Sequence, residues 1–121
     1  MLITLWILNG LLALVFFGAG LMKLTRPQAA LASSGMGYVE DFSSTQVKLI
    51  GMVEVLGALG LILPLLLNTA PALAPIAAVG LAITMVVATT VHARRKESLL
   101  PTIVLAVLSI AAAILGFVVV L

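Results

Sequence analysis

The chain has 121 residues, 64% hydrophobic and 8% charged, with a mean hydropathy of +1.38, where a soluble domain is about 45–50% apolar and roughly 25% charged. So few polar groups cannot cover a water-facing surface, and a net charge of +2 is no footprint for nucleic acid. Without cysteine there is no disulfide, thiol relay or thiolate metal site, and one histidine with four carboxylates offers little for any metal centre.

Four apolar runs approach the roughly 20 residues that a spanning helix needs. The first, 2–22, lacks a basic leader and exceeds the usual apolar stretch of a signal peptide, which predicts a retained helix. After it comes the only long connection, 23–46. There Thr25-Arg26-Pro27-Gln28 and Ser43-Ser44-Thr45-Gln46 both fit the S/T-x-x-Q capping box, predicting a short surface helix from near Pro27 and the start of the second span near Ser44. Between the two boxes, Gly35 and Gly37 interrupt the helix while Met36, Tyr38 and Phe42 are expected to dip toward the headgroups.

The second run, 47–67, is the only one with an internal charge, Glu54. Asn68-Thr69-Ala70-Pro71 then forms an uncharged tight turn before the third run, 72–91. The last link, Ala93 to Ser98, carries Arg94, Arg95, Lys96 and Glu97 ahead of the fourth run, 99–121. Such short links force antiparallel neighbours. The expected architecture is one all-α transmembrane domain over 1–121, an integral membrane four-helix bundle with a short interfacial helix in its first loop.

All six basic residues, Lys23, Arg26, Lys48, Arg94, Arg95 and Lys96, flank the first and third connections. The positive-inside rule places that face in the cytoplasm and both termini outside, across the cell inner (plasma) membrane. Trp6 then lies near the outer interface and Tyr38 near the inner one. Lys48, Arg94, Arg95 and Lys96 are expected to anchor anionic lipid headgroups, making membrane lipids the first partners.

A carboxylate near a helix centre costs about 2.5–3.5 kcal/mol on insertion scales, so Glu54 should face protein and have a partner. It lies about 9 Å deeper than Lys48 and about 120° around the helix from it, so Lys48 is not that partner. Glu54 shares a stripe with Gly51, Gly57, Ala58 and Leu61, small enough for close helix approach. Matching stripes at helical spacing are Asn9, Ala13, Phe16, Gly20 and Lys23 in the first span; Ala78, Leu81, Met85, Ala88, Thr89 and His92 in the third; and Thr102, Ala106, Ser109, Ala113 and Gly116 in the fourth. If these faces converge, Lys23, Glu54, Thr89, His92 and Thr102 form a polar cluster in the inner half of the bundle. Such a cluster either clamps helices together or forms a pocket for a ligand or proton.

The segments Gly20-Leu21-Met22-Lys23-Leu24, Val47-Lys48-Leu49-Ile50-Gly51 running through Glu54 to Pro64, and Ala77-Ala78-Val79-Gly80-Leu81 through His92 resemble the DoxX-like family of small bacterial four-helix membrane proteins. The resemblance covers nearly the whole chain. It implies a membrane protein of the kind found as subunits associated with sulfur-compound oxidation and quinone reduction, or with oxidative-stress complexes, though most members have no assigned activity. Members tend to carry an asparagine near the start of the last helix, where this chain has Thr102.

Two functions of different class fit these residues. One is a non-catalytic membrane subunit or scaffold, a homo-oligomer or the companion of another membrane protein, possessing no catalytic residue. The other is a binder of a lipid-soluble molecule such as a quinone within the polar cluster. A transporter or channel fits less well, since the sequence shows no inverted repeat and no broken helix pair.

Overall fold

A computed structural model describes residues 1–33 and 35–121. In chain order it has α1 (Leu2–Thr25), α2 (Gln28–Ser33), a 3-10 turn (Gly37–Asp41), α3 (Ser44–Leu66), α4 (Leu73–Arg94) and α5 (Leu100–Val120). α1, α3, α4 and α5 are each long and apolar enough to cross a membrane. They run up and down in turn. α1 packs chiefly on α3 and α4 on α5, while α3 on α4 and α1 on α5 close the ring.

One stripe of each long helix is buried and the rest is apolar but exposed, as expected where lipid is the outer solvent. α3 buries Val47, Gly51, Glu54, Ala58 and Leu61, and α5 buries Thr102, Ala106, Ser109, Ala112, Ala113 and Gly116. α1 buries Leu5, Asn9, Leu12, Phe16, Gly20 and Lys23, so Leu12 replaces the expected Ala13, which is half-buried. Leu12, Phe16, Ala58, Leu61, Ala78, Leu81, Met85 and Ala106 are among the side chains that meet in the shared core.

Local chemistry sets the helix ends. The Ser43 hydroxyl accepts from Gln46 N while the Gln46 side chain accepts from Ser43 N, so the second predicted capping box forms. The first does not. α1 continues through Thr25, whose hydroxyl donates back to Leu21 O, and Gln28 turns its amide to the carbonyls of Val39 and Phe42, both at 2.5 Å. α2 still begins at Gln28, behind Pro27.

α3 and α4 each end in a reversal through a left-handed residue, Asn68 (φ 50°) and Lys96 (φ 58°). In the first, Thr69 N bonds Pro64 O and Asn68 N bonds Leu65 O; in the second, Glu97 N bonds His92 O and Lys96 N bonds Ala93 O. Both are Schellman closures. The second folds Glu97 back beside the last turn of α4, where it enters the site described next.

The missing N–H and the ring of Pro64 loosen the helix ladder just ahead of it. Three residues earlier, Leu61 O receives the Asn9 side-chain amide from α1 at 3.0 Å, a cross-helix tie next to the Gly60 carbonyl whose helical donor Pro64 removes.

Candidate functional site

Lys23 and Glu54 meet at the α1–α3 seam, Nζ to Oε1 at 2.5 Å, with side chains 4% and 3% exposed. Two features of helix geometry bring them together. Side chains tilt toward the N-terminus of their own helix, and α1 and α3 are antiparallel, so Lys23 leans away from the basic end while Glu54 leans toward it. The helices also touch backbone to backbone beside the pair. A methyl group on Gly20 would lie 2.6 Å from Gly51 O, and one on Gly51 would lie 2.8 Å from both Gly20 O and Lys23 Cβ. Only glycine leaves room for that approach.

The pair lies beneath the 3-10 turn. Lys23 Nζ sits 5.7 Å from the centre of the Tyr38 ring, a cation–π contact. That ring in turn lies 4.8 Å from the His92 ring at a tilt of 55°. His92 Nδ1 is 3.0 Å from Glu97 Oε1, close enough for an ion pair once the ring is protonated but too poorly aligned for a hydrogen bond. Arg95 closes the circuit. It donates to Asp41 Oδ1 at 2.8 Å, approaches Glu40 at 3.8 Å and Glu97 at 3.4 Å, and so ties the α4–α5 link to the turn that carries Tyr38.

Although desolvation works against its charge, the hydrogen bond and charge of Asp41, followed by those of Glu97, hold the Arg95 guanidinium above its ordinary value. A raised cation keeps its contribution at every pH below the unfolded-state value and loses it only above the folded one. Alkaline conditions of ordinary handling therefore leave this contact intact.

Of the five residues expected to converge, Lys23 and Glu54 pair directly and His92 joins them through Tyr38. Thr89 and Thr102 do not join. Each spends its hydroxyl on its own helix, Thr89 on Met85 O and Thr102 on Leu99 O, as threonine in a helix commonly does. Lys48, expected at the headgroups, is exposed and donates to Leu24 O at the end of α1. Arg94 and Lys96 are exposed, whereas Arg95 is held by carboxylates.

Tyr38, Asp41 and Glu97 are members of the site that α-helical spacing does not reveal, because they sit in the links between the long helices. Farther from the basic end, Asn9 Oδ1 and Ser109 Oγ are buried with no hydrogen-bond partner among the described residues. A recess of about 360 Å³ between α4 and α5 is lined by Val79, Ala82, Ile83, Val86, Ile110 and Ile114 among others, all apolar, and by none of the polar cluster.

The model of a family described as DoxX-like matches residues 7–120. No curated protein and no solved structure matches the chain.

Proposed function

The chain belongs to the DoxX-like family, and from that premise we propose that it serves as a non-catalytic membrane subunit or scaffold. The observation that carries this reading is the closed state of its polar centre. Lys23 and Glu54 satisfy each other where two glycine backbones touch, an arrangement that clamps α1 to α3 and leaves no gap for a substrate between them. A buried pair of this kind serves specificity of association better than net stability.

In mild detergent the protein should migrate as a discrete oligomer, or with a membrane partner at fixed stoichiometry. Organic extraction of the same preparation, followed by mass spectrometry, tests the alternative function. A strictly monomeric protein carrying a stoichiometric quinone would replace the scaffold with a quinone binder.

The orientation proposed here places the basic end in the cytoplasm of a bacterial cell and both termini outside its inner membrane, because the six basic residues flank links at one end of the bundle. A reporter fused after Leu121 should then be active only outside the cytoplasm. Activity inside would invert the assignment.

A further inference from the structure

We propose that the 3-10 turn Gly37–Asp41 is a plug over the buried Lys23–Glu54 pair, and that Arg95 is the latch that holds it shut. The turn is bounded by two non-helical residues, Met36 at φ −99°, ψ 52° and the extended Phe42 at φ −123°, ψ 155°. Its inner face is apolar. Val39 is fully buried against Leu31 and Val47, while Gln28 secures the backbone on either side of Glu40 and Asp41 through the Val39 and Phe42 carbonyls. Its outer face is acidic, Glu40 and Asp41, and both carboxylates turn to one guanidinium.

Glu97 approaches the Arg95 guanidinium from its other edge and His92 from the other direction. Tyr38, on the same five-residue turn, caps Lys23 from above and meets His92 from the side. Releasing Arg95 would thus free both the charged rim and the aromatic cap together, whereas the glycine-lined seam beneath would stay closed. The result is an occludable site: an ion pair sealed from the basic end by a segment held through surface charge. This inference concerns access to the pair and stands apart from the scaffold reading.

The natural absence of cysteine makes the test direct. Val47→Cys places the only thiol under the plug, at a position 2% exposed, and its rate of modification by a charged methanethiosulfonate reagent reports opening. Arg95→Gln and, from the opposite side of the latch, Asp41→Asn should each raise that rate about fivefold, the scale of an exposed ion-pair network. Arg94→Gln, at an exposed neighbour, should leave it unchanged. Ala112→Cys, 1% exposed in the bundle core, monitors global loosening. The proposal is overturned if Val47→Cys is modified equally fast with and without the latch, or if Ala112→Cys accelerates in parallel.

Discussion

Glu54→Leu is expected to destabilise the bundle by about 3–5 kcal/mol, the usual result of removing one member of a buried ion pair. In detergent, the thermal midpoint should fall by more than about 10 °C. The loss falls on Lys23. Its side chain, 4% exposed, would be left charged beside apolar surface, and the tilt of its Cα–Cβ bond up the bundle opposes escape to the headgroups. A lysine at the end of a span commonly snorkels outward; this one extends inward, past Gly51, to reach the carboxylate.

Lys23→Met together with Glu54→Leu should restore most of the lost stability, because replacing a whole buried pair with apolar groups of similar size is often neutral. The double-mutant cycle isolates the coupling. Strictly additive losses would show that the two side chains do not interact, and would reassign the partner of Glu54.

The second large effect lies at the backbone contact beside the pair. Gly51→Ala and Gly20→Ala should each cost about 1–3 kcal/mol, the range for overpacking a closed interface, even though alanine in a helix is intrinsically favoured over glycine by about 1 kcal/mol. At both sites the new methyl group meets backbone oxygen, which cannot swing aside as a side-chain tip can. Gly10→Ala and Gly18→Ala provide the contrast. Neither methyl would have a neighbour within 4 Å, so thermal unfolding should show these two neutral or stabilised. Equal effects at all four glycines would mean that the seam is not as tight as described.

These two positions also show what could be read in advance. Hydrophobic spacing identified the faces of α1, α3 and α5 almost residue for residue, because period alone decides which side chains lie on one stripe. It also identified Glu54 as needing a partner, since an embedded carboxylate has no local means of satisfaction. Thr89 and Thr102 were equally polar and equally aligned, yet a hydroxyl can bond the carbonyl one turn back and so needs no neighbour. Stripe position therefore fixes which way a residue faces, not what it meets.

Tyr38, Asp41, Arg95 and Glu97 were harder to place for a different reason. Their meeting depends on how the two basic-end links fold, above all on a left-handed backbone at Lys96 that nothing in its side chain announces. Glycine or asparagine would have signalled that reversal. The S/T-x-x-Q pattern at Thr25 forms no capping box because Thr25 closes the last turn of α1 and spends its hydroxyl on Leu21 O, leaving the Gln28 amide to the carbonyls of the plug.

In the orientation proposed above, the uncharged turn between α3 and α4 is the tip that crosses the membrane. When that hairpin inserts, the segment that must traverse the hydrocarbon is Asn68 to Ala72, which carries no ionised side chain, whereas the opposite tip would drag arginines and lysines across at about 2.5–3.5 kcal/mol apiece. The proposed orientation is therefore the one in which insertion costs least. Glu54 enters the bilayer with α3, and because synthesis runs from the N-terminus, α1 and its Lys23 are made before it. The order of synthesis thus makes the counter-charge available before the acid that needs it.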